Sequence, residues 1–302
     1  MRTMLRLATL VSALGALAAL LPAETPPELK VYVSVDMEGV VGTVTSDQLG
    51  PGGFEYERYR EFMTRETLAA VGAAKEAGAT FILVTDSHGN GENLLIERFP
   101  PDVRIVRSWP RRQQMMAGID QSFDAAILIG YHASTANPRG VRAHTFSSAR
   151  LTRVAMNGRE MTEGAWSAAI AGHFGVPVVM MSGDDAAIDE VRTLVGPIEA
   201  AETKKSLGFH SAITLTPEAS YALIAEKVRA GLKRRGELEP FALGAPVVLD
   251  IGFKSYMPAE VLAYLRGVER TGSHSVRFQA RDILEASDFV EFVTTYSPAL
   301  EP

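Results

Sequence analysis

The sequence predicts an α/β fold: a mostly parallel sheet flanked by helices, with a smaller C-terminal α+β portion. Three observations carry that expectation. Short β-branched apolar runs recur at 29–35, 80–85, 103–106, 125–129 and 177–181, and near-continuous hydrophobicity marks strands buried on both faces. Stretches of helical period lie between several of them. Gly- and Pro-rich punctuation such as Gly50-Pro51-Gly52-Gly53 separates the two kinds.

Taken in order, the first strand is Leu29-Lys30-Val31-Tyr32-Val33-Ser34-Val35. A helix is expected over 56–77, where Phe62, Met63, Leu68, Val71 and Ala74 recur at roughly helical spacing before Gly78. Strands follow at 80–85, 103–106 and 125–129. Residues 151–157 read as a strand ending in the turn Asn157-Gly158. A helix over 162–174 packs on its Ala and Gly, the strand 177–181 is buried, and the helix 186–195 starts behind Asp184 and Asp185, as the helix dipole prefers. Further on, 217–235 is an amphipathic helix whose basic end, Lys233-Arg234-Arg235, reads as a solvated C-terminus. Strands at 247–253 and 275–280 and a last helix over 281–294 complete the chain. The expected division is a catalytic unit over 29–205 and the C-terminal portion over 206–302.

The first residues read differently. Arg2 and Arg6 precede an apolar run over 7–21, and small residues and a Pro-rich stretch follow. That pattern predicts a signal peptide over 1–23, cut after Ala19 or Ala23, with a spacer over 24–28 and export to the periplasm or the medium of a bacterium. A membrane span wants roughly 20 apolar residues, so no stable span is expected after cleavage. Cleavage removes two arginines and no acid, moving the net charge from −6 to −8.

Composition narrows the chemistry. With 46% hydrophobic and 22% charged residues, the chain can bury a large core. An acidic balance without a basic block argues against nucleic acid as a partner. No cysteine is present, which excludes disulfides, thiolate metal sites and Cys nucleophiles. Any metal must rest on carboxylates and the six histidines.

Several polar residues fall just past apolar strands, where open parallel sheets bind ligands. Asp36 and Glu38 lie two apart after the first strand, so both carboxylates can aim at one point. They read either as a solvated acid pair or as a cation site. Asp86-Ser87-His88 follows the second strand, as a turn Asp with an incidental His or as part of a site. Gly130-Tyr131-His132 follows another strand, His144 stands twelve residues on, and Glu163 opens a helix that capping alone could explain. Together, two acids, two histidines and a further Glu suffice for two metals sharing a bridging carboxylate. Such a pair activates water and polarises a carbonyl or phosphoryl oxygen. His173, His210 and His274 are assigned to core or surface.

Ser34-Val35-Asp36-Met37-Glu38-Gly39, Asp86-Ser87-His88, Gly130-Tyr131-His132, His144, the run Asn157-Gly158 to Glu163, and Ser182-Gly183-Asp184-Asp185 resemble the D-aminopeptidase family of M55 peptidases. The resemblance implies a zinc aminopeptidase with two zinc ions per chain, acting on short peptides and assembled as a homo-oligomeric ring. It implies Asp36 as the bridging ligand, Glu38 with His132 on one zinc, and His88 with Glu163 on the other. It makes His144 the catalytic histidine. The alternatives are another two-metal hydrolase, a phosphoesterase or amidase, and a non-enzymatic exported metal- or solute-binding protein.

Overall fold

The computed structural model describes residues 28–296, so the expected leader lies outside the described residues. The chain runs β1 (Leu29–Val35), α1 (Tyr56–Glu76), β2 (Ala79–Asp86), β3 (Val103–Val106), β4 (Ala125–Tyr131), β5 (Leu151–Met156), β6 (Arg159–Glu160), α2 (Glu163–His173) and β7 (Val178–Asp184). It continues through α3 (Asp185–Val195), β8 (Glu199–Gly208), β9 (Ser211–Thr214), α4 (Pro217–Lys233), β10 (Val247–Phe253), α5 (Tyr256–Leu262), β11 (Val268–Gly272), β12 (Ser275–Ala280) and α6 (Ile283–Thr295).

Seven strands form one sheet in the order β3-β2-β1-β4-β7-β8-β9, parallel except for the β8-β9 hairpin. Alternation along β1 sends Val31, Val33 and Val35 into a core with Met63 and Val71 of α1 and Ile224 and Val228 of α4. Tyr32 faces the opposite core, which holds Leu128, Trp166 of α2, Leu249 and Val276 of the second sheet, and Val290 of α6. That second sheet is antiparallel, ordered β11-β12-β10-β5-β6. The mostly parallel α/β architecture is therefore as the sequence predicts.

The two sheets interleave across the division the sequence suggests. The expected division at residue 205/206 falls inside β8, whose hairpin and the following α4 belong to the first sheet's layers. The second sheet draws β5 and β6 from before that point, because β5 pairs antiparallel with β10 through Leu249↔Met156 and Ile251↔Val154. The strand expected at 177–181 also runs on to Asp184. Among the described residues no helix is long and apolar enough to cross a membrane.

The sheet order reverses at β1, with β2 on one side and β4 on the other. Such a switch point opens a crevice at the carboxyl ends of the strands. Here that crevice collects the loops after Val35, Asp86 and Tyr131.

Candidate metal centre

Asp36 and Glu38 leave β1 into a tight turn that holds both buried. The turn is pinned to β4 by the Asp36 N–H donating to Ile129 C=O at 2.8 Å. Beneath it, the Ser34 hydroxyl meets the Tyr131 hydroxyl at 2.7 Å and the Ser87 hydroxyl at 2.9 Å, joining β1, β4 and the loop after β2. Asp86 is structural. It accepts the N–H groups of Asn93 at 2.6 Å and Leu94 at 2.7 Å, closing the loop that presents His88. Thr162 caps α2 through the Ala165 N–H at 2.8 Å and so sets Glu163 at the first helical position.

All six residues singled out by the sequence meet in one place, a cavity of about 480 Å³ whose lining includes Asp36, Glu38, His88, His144 and Glu163. His88 Nδ1 lies 2.9 Å from Glu38 Oε2 and 3.2 Å from Asp36 Oδ1. His132 Nε2 lies 3.3 Å from Asp36 Oδ2 and 3.4 Å from Glu163 Oε2. His144 Nε2 faces Glu38 at 3.9 Å and Glu163 at 3.8 Å, and its ring stacks on His132 with centroids 4.1 Å apart.

The donors divide into Asp36, Glu38 and His88 on one side and His132, His144 and Glu163 on the other. The resemblance instead implied Glu38 with His132 and His88 with Glu163; the side chains nearest one another are grouped differently. The cause is strand order. Glu38 follows β1 and His88 follows β2 on one flank, whereas His132 follows β4 and Glu163 starts α2, which packs against β4. Asp36 stands between the flanks, one oxygen toward each imidazole.

Each imidazole is fixed by its other nitrogen. His88 Nε2 donates to Leu49 C=O at 2.8 Å, His132 Nδ1 to Ala133 C=O at 3.0 Å, and His144 Nδ1 to Arg142 C=O at 2.8 Å. Backbone carbonyls in that role fix the tautomer and aim the remaining nitrogen at a metal or substrate.

The electrostatics fit a cation. Burial and then the Glu38 charge push the Asp36 carboxyl up. Burial opposes charge on Glu38 too, but His88 outweighs it and holds that carboxyl well below its usual range. Glu163 is likewise lowered, against burial, by His132. Burial would lower both imidazoles, yet the acids beside them, Glu38 for His88 and Glu163 for His132, hold both well above the ordinary value. Asp36 Oδ2 and His132 Nε2 are buried without a hydrogen-bond partner. Buried polar atoms are normally satisfied. Carboxylate oxygen and imidazole nitrogen are the donors zinc takes, so the residues present fit that metal.

Two structural residues escaped the sequence. Lys204 of β8 is fully buried, and its ammonium donates to the carbonyls of Glu38, Val40 (2.9 Å) and Thr43 (2.8 Å). Glu66 of α1 accepts the Val41 N–H at 3.0 Å and the Ser220 hydroxyl at 2.8 Å. Between them they clamp the turn carrying Asp36 and Glu38. The C-terminal helix α6 also reaches the cavity, through Glu291, Thr294 and Thr295.

A model of the M55 peptidase family, described as D-aminopeptidase, matches residues 29–292. The D-aminopeptidase of Bacillus subtilis (strain 168) is 33% identical over 259 residues, covering 85% of this chain and 94% of that protein. The solved structure of the Zn-dependent D-aminopeptidase DppA from Bacillus subtilis, described as a self-compartmentalizing protease, aligns with a TM-score of 0.84 at 32% identity. That alignment covers 90% of this chain and 100% of the other.

Proposed function

The chain belongs to the M55 family of D-aminopeptidases and is a metallo-aminopeptidase; on that footing we propose that it removes the N-terminal residue, D-configured residues included, from short peptides at a centre of two zinc ions. The observation that carries the metal count is Asp36, placed between His88 and His132 with one oxygen toward each. Asp36, Glu38 and His88 would hold one ion, and Asp36, His132 and Glu163 the other.

When bound, zinc supplies Lewis-acid polarisation of a carbonyl and a water of lowered pKa. The chain's own residues do the rest. The carboxylates of the cavity attract the substrate's α-ammonium. The His144 side chain is 14% exposed where the ligands are nearly sealed, and its Nε2 faces both flanks of the centre. From there it exchanges a proton with the attacking water or the leaving amine, or stabilises the developing oxyanion.

A phosphoesterase would hold the extra charge of its substrate with Arg or Lys. Among the described residues none lines the metal-facing cavity. Of the two arginines in the loop before His144, Arg139 pairs with Asp189 at 3.6 Å and Arg142 stacks 5.2 Å over Phe209. A pure binding protein would close its metal site, whereas this one faces a cavity.

The proposal extends to assembly and location. Leu207, Phe209 and Ile213 on the β8-β9 hairpin and Met257, Val261 and Tyr264 around α5 are exposed apolar side chains suited to self-association. Together with the self-compartmentalizing relative, they support a homo-oligomeric ring. The basic and apolar start of the sequence supports export.

Zinc-loaded protein is expected to release the N-terminal residue from a panel of D- and L-configured short peptides, with chelation abolishing release. Hydrolysis of phosphate esters by metal-replete protein that cleaves no peptide overturns the aminopeptidase assignment.

A further inference from the structure

A second cavity, of about 360 Å³, adjoins the first, and the two share His144 and Ser148 in their walls. Their charges are opposite in kind. The first is lined by four carboxylates, those of Asp36, Glu38, Glu163 and Glu291, and by no Lys or Arg. The second is lined by no carboxylate and by one cation, Lys254, among the otherwise uncharged Thr135, Ala143, Leu151, Thr152 and Phe209, with His144 as its boundary. Its volume lies within the range of about 300–1,000 Å³ usual for small-molecule sites.

Lys254 is held in place. Its backbone N–H donates to Arg150 C=O at 2.8 Å, and its ammonium donates to the Ser148 carbonyl. That partner is neutral, and among the described residues no acid pairs with this exposed ammonium, which is left free to meet an anion. An ammonium has three protons, and two remain for a ligand.

Resting on the aminopeptidase assignment above, we infer that the second cavity receives the leaving part of the substrate and that Lys254 binds its free α-carboxylate, which makes dipeptides the favoured substrates. The orientation follows from charge. The substrate's ammonium is drawn into the acid-lined cavity, the scissile carbonyl then lies by the metal ligands and His144, and the chain continues past His144. In a dipeptide the carboxylate stands on the next residue, one Cα step of about 3.8 Å along. A longer peptide, or an amidated one, presents a neutral amide to Lys254 and forfeits the charge-assisted bond.

The test compares kcat/KM for alanyl-alanine, in the configuration the enzyme accepts, with its C-terminal amide, using zinc-loaded wild type, Lys254→Gln and Lys254→Arg. Wild type is expected to favour the free acid by about tenfold or more, mostly in KM. Lys254→Gln should lose that preference, its kcat/KM for acid and amide converging, and Lys254→Arg should restore much of it. Equal wild-type kcat/KM for acid and amide overturns the proposal yet leaves the aminopeptidase assignment standing. So does a uniform slowing of both substrates in Lys254→Gln, which would show that Lys254 only supports Ser148. Cleavage of neither substrate by wild type strikes the aminopeptidase assignment itself, and this proposal with it.

Discussion

Gly39 and Gly130 lie backbone against backbone at the switch point, the Gly39 N–H donating to the Gly130 carbonyl at 2.6 Å. A Cβ on Gly39 would stand 2.1 Å from the Tyr131 carbonyl oxygen and 2.4 Å from the Gly130 carbonyl carbon. A Cβ on Gly130 would stand 2.3 Å from the Asp36 carbonyl oxygen, and its φ of +72° is itself costly for any side chain. The turn bearing two metal ligands thus sits on the end of β4 with no room for a methyl group.

Gly39→Ala is therefore expected to push the Asp36–Glu38 turn off β4. The cost should reach about 3 kcal/mol, the upper end for overpacking, because the obstructing atoms are backbone. Zinc content should fall with it. Gly50→Ala, where a Cβ meets nothing within 4 Å, serves as the control. Urea unfolding and metal analysis of the two variants decide; equal stability would show that the turn can shift freely.

His144→Ala should retain its zinc and lose about 10²- to 10⁴-fold in kcat, the usual contribution of a proton-transferring side chain. Metal analysis beside steady-state kinetics separates the roles. Loss of one ion would instead make His144 a ligand, as its 3.8 Å approach to Glu163 permits.

Lys204→Met removes the ammonium that gathers three backbone carbonyls of the Glu38–Thr43 turn. Leaving buried acceptors unpaired makes the expected loss about 3–5 kcal/mol. Zinc affinity should drop as well, since the turn it tightens carries Asp36 and Glu38. A variant as stable as wild type, with unchanged zinc affinity, would contradict the clamp.

Glu66 gives a pH signature. Burial pushes its carboxyl up to about 7. An unfolded Glu titrates near roughly 4.3, so the folded state holds the proton more tightly. Stability from this group is then full below the unfolded value and is lost as pH rises through the folded one. Over that window the loss amounts to about 4 kcal/mol. Glu66→Gln should flatten the decline between about pH 4 and pH 7, measured by denaturation of both proteins at equal zinc. Parallel pH profiles would rule out Glu66 as the titrating group.

Strands β1 to β4 and the long helices α1 and α4 were legible because their apolar runs and periodicity are strong. The six side chains that meet at the cavity were legible because each directly follows a strand, opens a helix or stands in a recognisable motif. The β8-β9 hairpin was not. Glu199–Gly208 is rich in Glu, Lys and Ala, and only the buried alternation of Ala201 and Thr203 betrays a strand. Lys204 resembles any surface lysine in the sequence; its burial depends on carbonyls more than 160 residues away. The mixing of β5 with β10 depends on long-range pairing that neither strand's pattern encodes. Helix α5 is short and carries Pro258 within its span, which hides its period. Which of these side chains stand nearest one another follows from strand order rather than from spacing along the chain.

The metal donors all come from residues 36–163, whereas part of the substrate-facing wall comes from α6 near the other end of the chain. Reactivity and selectivity therefore reside on separable stretches of polypeptide. Replacements at Glu291, Thr294 or Thr295 can reshape what enters the cavity without touching a ligand, its carbonyl support or the turn that holds it. Such a layout lets a lineage change its diet of peptides by drift in one helix while the hydrolytic chemistry is inherited intact.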